Sequence, residues 1–279
     1  DIPRINKYGA YISPITPGHE FSGEIVEVGA AVKNFKVGDR VTVPPLLPCF
    51  KCEFCQQGHY SLCKDYKYFG SRNDGAFAQY VAVPEPNLLK VADNVSFEAA
   101  ATADPLANAL HAIKRGGFKP GDKVCVFGLG AIGLYCIQYM KAKGAKIAVA
   151  VDVDERKLQV ARDCGADVAI DGRAADVVDQ VIAATEGGAD VCIDASGFPA
   201  AQHNAIEATA KHGTMVLLGI SHQPLTLSEK CLDWVMRGEK AIVGSWNSFS
   251  KPFPGWEWTH GVESLADGTI DAEKVITHK

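Results

Sequence analysis

The stretch that most limits the folds open to this chain runs from Lys123 to Asp152, KVCVFGLGAIGLYCIQYMKAKGAKIAVAVD. A short apolar run, Val124 to Phe127, has the composition of a buried parallel strand. It feeds directly into Gly128, Gly130 and Gly133, spaced G-x-G-x-x-G. Apolar positions then change to helical spacing at Ile132, Cys136, Ile137 and Met140, and a second run, Ile147 to Val151, ends in Asp152. Strand, glycine turn, helix, strand and acidic residue in this order make a dinucleotide-binding unit. The first glycine forms the tight turn, and the second lets a pyrophosphate approach the backbone. The third lets the helix pack on the sheet, so the N–H groups of its first turn, around Ile132, face the phosphates. Asp152 follows Gly133 by 19 residues, where a carboxylate can accept hydrogen bonds from an adenosine ribose. The same carboxylate would sit against a 2′-phosphate, which favours NAD over NADP. Arg156 is the nearby cation that complicates this choice, although it reads more simply as a solvated helix residue.

Beyond Asp152 helices and strands alternate: Glu155–Asp163, Val168–Ile170, Ala174–Thr185, Val191–Asp194, Ala200–Lys211, Met215–Leu218, Glu229–Arg237 and Ile242–Val243. Such β-α units require parallel strands with helices on both faces, and ligands bind outside the carboxyl ends of the strands. Ser196, Gly219 and Ser245 stand at such ends. They are candidates to line a cofactor cleft, or are ordinary loop residues.

The first hundred residues read differently. Ile25–Ala30, Arg40–Val43 and Ala78–Val83 have the pattern of short strands, separated by Gly29, Gly38-Asp39 and Asp74-Gly75, which suggests a compact β-rich domain. Four of the nine cysteines crowd into one loop, Cys49-x-x-Cys52-x-x-Cys55 and then Cys63. Four thiolates can close tetrahedrally around Zn²⁺ at about 2.3 Å each, leaving no open position, so the expected site is structural. A redox Cys-x-x-Cys or a disulfide pair accounts for this cadence less well. The other five, Cys125, Cys136, Cys164, Cys192 and Cys231, sit in apolar or helical patterns and read as small buried hydrophobes of a reducing compartment, with cytoplasm the default. A net charge of −5 argues against a nucleic-acid surface, and no apolar run reaches the length of a membrane span. Gly18-His19-Glu20-Phe21 places an imidazole beside a carboxylate. Taken alone, such a pair is more often hydrogen-bonded at the surface; imidazole is nonetheless the usual ligand of catalytic zinc, with an adjacent carboxylate as ligand or as the group that orients it.

GHEFSGEIVEVGAAVKNFKVGDRV, the cysteine loop, DGAFAQY and VFGLGAIG, in this order, resemble the zinc-dependent medium-chain alcohol and polyol dehydrogenases over the whole chain. The resemblance implies a doubly wound parallel Rossmann domain over residues 114–248. It implies an N-terminal β-rich GroES-like catalytic domain over 1–113, with a structural-zinc lobe at 46–66, and a return towards the catalytic domain over 249–279. Asp1-Ile2-Pro3-Arg4 looks like the end of a Cys-Gly-Ser-Asp segment whose cysteine would be a ligand, and 272–279 resembles a point where family members continue back into the catalytic domain, so that domain is expected to be incomplete at both ends. Carried onto this sequence, the resemblance makes His19 a ligand of catalytic zinc and Glu20 a ligand or its close neighbour. Cys49, Cys52, Cys55 and Cys63 become the structural site.

The family's Glu-Pro pair is matched by Asp104-Pro105, one methylene shorter. Asp104 is therefore expected to contact the metal directly or through water, and also to be the N-cap of the helix that follows, with Pro105 at its first position. His111, two turns on, reads as core. The implied activity is oxidation of a secondary hydroxyl of a polyol or polyol phosphate, galactitol 1-phosphate first, with hydride passing to NAD and the reacting bond held in a cleft between the domains. Arg72 in GSRNDG is the candidate to meet a phosphate. The alternatives are a free-polyol dehydrogenase, a non-catalytic nucleotide- and zinc-binding protein, and a zinc-free quinone-reductase relative, which the cysteine loop disfavours. A homodimer or homotetramer is implied. Trp246, Phe253, Trp256 and Trp258 are expected to pack aromatically between domains, or to form a sugar-stacking wall.

Overall fold

A computed structural model describes residues 12–221 and 223–278. The chain divides into two compact units, one made of residues up to Ala107 together with Asn247–Gly268, the other of Asn108–Trp246 with Thr269–His278.

In the first unit β1 (Ser22–Glu24) and β2 (Arg40–Thr42) pair antiparallel, β3 (Leu46–Leu47) precedes the cysteine loop with its short α1 (Glu53–Gln56), and β4 (Lys67–Tyr68) returns to pair with β3. β5 (Leu89–Lys90) completes a three-stranded sheet ordered β1-β2-β5. Two helices follow, α2 (Phe97–Ala101), capped by Ser96 Oγ accepting from Ala99 N, and α3 (Ala103–Gly116), inside which the division between units falls. The strands expected at 25–30 and 78–83 are not found. Pairing ends within a residue of Glu24, where Ile25 N donates to Asp39 O, and residues 78–83 join no ladder with a described strand. Alternation marks a surface that could lie in a sheet, but a strand needs a partner for its backbone groups.

In the second unit β6 (Lys123–Phe127), α4 (Ala131–Ala142) and β7 (Ile147–Asp152) follow the expected strand-helix-strand order. After them come α5 (Glu155–Asp163), β8 (Val168–Asp171), α6 (Val177–Ala184), β9 (Ala189–Asp194), α7 (Pro199–Ala208), β10 (Thr209–Leu217), α8 (Glu229–Arg237) and β11 (Ala241–Gly244). The six strands pair in parallel in the order β11-β10-β9-β6-β7-β8, so the winding reverses beside β6. α7 ends earlier and β10 begins earlier than the sequence pattern suggests. Thr209 is already extended and its hydroxyl donates to Ala205 O at 2.7 Å. The β9–β10 register shifts between Thr209 and Thr214, a stretch that includes His212 at φ 60°. The core between sheet and helices is built from Cys125, Phe127, Val149, Val151, Ile170, Val181, Cys192, Ile206, Met215 and Cys231. All five scattered cysteines are buried and free, as small hydrophobes should be.

The chain then supplies Asn247–Gly268 to the first unit, ending in α9 (Trp256–Ala266). Phe249, Trp258 and Val262 pack with Leu46, Tyr60, Cys55 and Cys63 into one core, with Phe253 against it. Ser61 and Phe249 exchange hydrogen bonds between Oγ and backbone. The aromatic cluster therefore differs from its expected place. Trp258 fills the interior beneath the cysteine loop with the half-buried Phe253 packed against it, whereas Trp246 and Trp256 are exposed.

Candidate active site and nucleotide loop

Three glycines hold His19 in place. Gly18 has φ 102°, a region open to glycine, and a Cβ there would meet Phe77 and the backbone of Ala76. Gly70 and Gly75 lie so close to the Gly18 backbone that a side chain on either would collide with it. Gly75 N donates to Thr16 O at 2.7 Å, Phe77 N to Pro17 O at 2.9 Å, and Asp74 Oδ1 accepts from Thr16 N at 2.8 Å. This cradle aims the His19 ring edge-on at Tyr68 of β4, 5.6 Å between centroids. His19 Nε2 is 3.7 Å from Glu20 Oε1, with Glu20 half exposed.

Asp104 completes the group. The structure corrects its expected N-cap role: α3 already begins at Ala103, so Asp104 lies in the first turn, buried, with a hydrogen bond from the Tyr68 hydroxyl. One donor atom from each of His19, Glu20 and Asp104 lies within 4.8 Å of the others. Burial, and then the charge of Glu20, push the Asp104 carboxyl up to about 8, against a smaller opposing effect of the Tyr68 bond. Tyr68 is raised well above its ordinary value by burial and by the charges of Asp104 and Glu20. Two carboxylates and an imidazole facing one point, with one carboxylate reluctant to ionise, fit a divalent cation, since a metal's charge favours the ionised donors. His111 is not among these donors. Residues 1–4, where the Cys-Gly-Ser-Asp ending was expected, lie outside the described residues.

The four loop cysteines also converge, with all four sulfurs within 4.8 Å of one another and no disulfide among them. Cys49 Sγ is 3.9 Å from Cys55 Sγ and accepts from Cys52 N at 3.3 Å, while Cys63 Sγ accepts from Cys49 N at 3.3 Å. Backbone N–H groups of Lys64 and Cys55 bring Cys52 down to about 6, whereas burial raises Cys55 and Cys63. Closely packed sulfurs, some held as thiolates by amides and others buried, fit a tetrahedral Zn²⁺.

In the second unit Gly128 takes φ 92° and donates to Val151 O at 2.8 Å, turning the chain off β6. Gly130 is the N-cap of α4 with no side chain closing the helix end, and a Cβ on Gly133 would collide with Gly128 O. Ile132, in the first turn, shares this open end. Asp152, at the end of β7, accepts from Leu129 N at 2.7 Å and from Asp154 N at 3.0 Å, so it braces the glycine turn. Arg156 is tied to Asp154 through its Nη2 at 3.0 Å and is otherwise exposed.

Ser196 packs against Gly128, where an added Cβ would lie 2.7 Å from Ser196 N. Gly219 closes in the same way on Gly197. Ser245 donates its N–H to Leu217 O at 2.9 Å, and its buried hydroxyl has no hydrogen-bond partner among the described residues. One organising residue escaped the sequence reading. Asp194, fully buried, accepts from Ser196 Oγ at 2.6 Å, Ser196 N at 3.0 Å, Gly197 N at 3.2 Å and Gln202 Nε2 at 3.1 Å. The available signal was an aspartate closing a strand ahead of Ala-Ser-Gly. Tyr68 and Gly70 were also missed, and Asp74-Gly75 was legible only as a turn, since nothing local links them to His19.

Residues 1–93 match the alcohol dehydrogenase GroES-like domain and 131–259 the zinc-binding dehydrogenase domain. The chain is 35% identical to galactitol 1-phosphate 5-dehydrogenase of Escherichia coli K12 over 281 aligned residues, covering all of this chain and 81% of that protein. It is 32% identical to sorbitol dehydrogenase of Bacillus subtilis, covering 97% of this chain and 76% of the relative. The crystal structure of the E. coli galactitol-1-phosphate dehydrogenase superposes with TM-score 0.92 at 35% identity, covering 100% and 81% of the two chains. A zinc-binding dehydrogenase of Sinorhizobium meliloti 1021, solved with NADP, superposes at 0.91 with 29% identity over 99% and 79%. Among the described residues no helix is long and apolar enough to cross a membrane. By both its domains and its relatives, the chain belongs to the zinc-binding medium-chain dehydrogenases.

Proposed function

We propose that this chain oxidises a secondary hydroxyl of a polyol phosphate, with galactitol 1-phosphate as the first candidate, and passes hydride to NAD. The convergence of His19, Glu20 and Asp104 on one point carries the reading. A zinc held there supplies Lewis acidity, which lowers the pKa of a substrate hydroxyl. His19 gives an imidazole nitrogen, oriented by Tyr68 and by the glycine cradle. Asp104, raised to about 8 without a metal, would give up its proton to ligate one, leaving the more exposed Glu20 carboxylate to take up or release a proton. On the second unit the uncapped N-terminus of α4 receives the pyrophosphate, and Gly128, Gly130 and Gly133 keep side chains out of its way. Asp152 accepts from the ribose and sets its charge against a 2′-phosphate, with Lys157 Nζ 3.8 Å away as the opposing cation, while Arg156 is occupied by Asp154; NAD is the cofactor proposed. The four cysteines hold a second, structural zinc.

Arg72 supports a phosphorylated substrate. It is half-buried with its guanidinium 4.3 Å above the Tyr66 ring, a planted cation rather than a loose loop side chain. Steady-state kinetics with galactitol 1-phosphate and with sorbitol test this. Arg72→Ala should lower kcat/KM for the phosphate ester on the order of 10- to 150-fold, the worth of a charge-assisted hydrogen bond at about 1.5–3 kcal/mol, and leave sorbitol unchanged. Equal kcat/KM for both substrates in the unaltered chain would favour the free-polyol reading, which the similarity to sorbitol dehydrogenase also allows. Turnover of neither, with NAD still bound, would leave a nucleotide-binding protein.

A further inference from the structure

Away from the two clusters described above, α7 and α8 bring together a third set of metal-type donors, one of them the core residue Cys231. His203 and Glu207 are four residues apart on one face of α7, with Nε2 3.9 Å from Oε1. Cys231 lies in the first turn of α8, its N–H donating to Ser228 Oγ at 3.1 Å, and its side chain is fully buried in the core beneath. One nitrogen, one oxygen and one sulfur from these residues all lie within 4.8 Å of one another. Each of the three is already fixed by a helix, so the group needs only side-chain adjustment to close. Around a zinc with bonds of about 2.0–2.3 Å, ligand atoms stand roughly 3.3–3.8 Å apart.

We propose that His203, Glu207 and Cys231 form a binding site for a borderline-soft divalent cation of the zinc class, which ties α7 to α8. The donor set selects the class. Imidazole and thiolate suit Zn²⁺ and Co²⁺, whereas Mg²⁺ and Ca²⁺ require oxygens. His203 and Glu207 are 26% and 14% exposed, so the cluster opens to solvent on their side and water completes the coordination. On binding, the Cys231 thiol proton leaves to solvent and the thiolate takes its place on the metal. Lys240 sets the strength. Its Nζ donates to the carbonyls of Ile206 and Glu207 at 3.1 Å, and its charge acts on Glu207 and Cys231. A cation entering beside this fixed charge, on three protein donors, binds more weakly than at the four-cysteine loop. The site owes nothing to the hydride-transfer reading and stands or falls apart from it.

The test is cobalt titration of the full chain after its tight sites are filled with zinc and excess metal is removed. The unaltered protein should take up one further Co²⁺ per chain, with a thiolate-to-cobalt absorption in the near ultraviolet. Cys231→Ser should lose that absorption and that equivalent. His203→Gln, at a partly exposed position, should weaken the binding tenfold or more, which guards against a folding defect in the cysteine variant. No further equivalent in the unaltered protein, or unchanged uptake by either variant, would overturn the proposal.

Discussion

Replacing Asp194 by alanine removes one carboxylate and strands its donors at the carboxyl end of β9. Of these, Gly197 N–H and the Gln202 amide are buried with their acceptor, while the Ser196 groups lie nearer the surface and can turn to water. Leaving a buried donor unsatisfied costs about 1–3 kcal/mol, so the two together amount to about 4 kcal/mol, near 10³-fold in the folded-to-unfolded ratio. Asp194→Asn keeps one acceptor oxygen but turns an amide N–H₂ towards other donors, and about half that loss is expected. The assay is urea denaturation followed by circular dichroism, run beside an NADH fluorescence titration. Ser196 packs on Gly128, so both substitutions should also weaken NADH binding. A stability change within the roughly 0.5 kcal/mol of an ordinary surface substitution, with NADH affinity unaltered, would refute the claim that Asp194 organises the turns.

In chelator-treated protein Asp104 holds its proton up to about 8, against 3.8 for the free carboxyl. The native state then binds more protons than the unfolded chain across that window, so stability falls as pH rises through it, and Asp104→Asn should flatten the denaturation-midpoint profile. If the four cysteines hold zinc, removing it should move the buried Trp258 towards water and red-shift its emission, because Trp258 shares a core with Cys55 and Cys63. Unchanged emission after complete metal loss would contradict this coupling. If Asp152 selects NAD as proposed, Asp152→Asn should improve NADP relative to NAD by removing the charge set against a 2′-phosphate, measured as the ratio of KM values. A ratio that stays constant would locate the preference elsewhere.

What could be read from the sequence was what depends on neighbours along the chain. The β6-α4-β7 unit, the bounds of α5 and α8, and the cysteine cadence each carry their whole signal within a few turns or one loop. Strands 25–30 and 78–83 were misplaced because alternation describes a surface while pairing decides a strand. Asp104 was misread as a cap because Asp-Pro has that local meaning, and only the approach of Tyr68 and Glu20 shows the carboxylate turned inward. The three glycines around His19 and the four donors on Asp194 meet across loops distant in sequence, and no spacing rule reaches them. The aromatic cluster was visible as composition, but its place beneath the cysteine loop was not.

That last arrangement bears on how the molecule is made. Ser61 and Phe249 are separated by 188 positions, yet they share hydrogen bonds in the same small core. During synthesis the cysteine loop leaves the ribosome long before Phe249 and Trp258 exist, so for most of that interval its hydrophobic floor is absent. Contacts of such span close last and slowly. A zinc captured early would hold the nascent loop in register until its floor arrives, whereas a chain made in metal-poor cells would present four free thiols and the uncovered faces of Leu46 and Tyr60 to its surroundings. The vulnerable moment of this protein is thus its own translation.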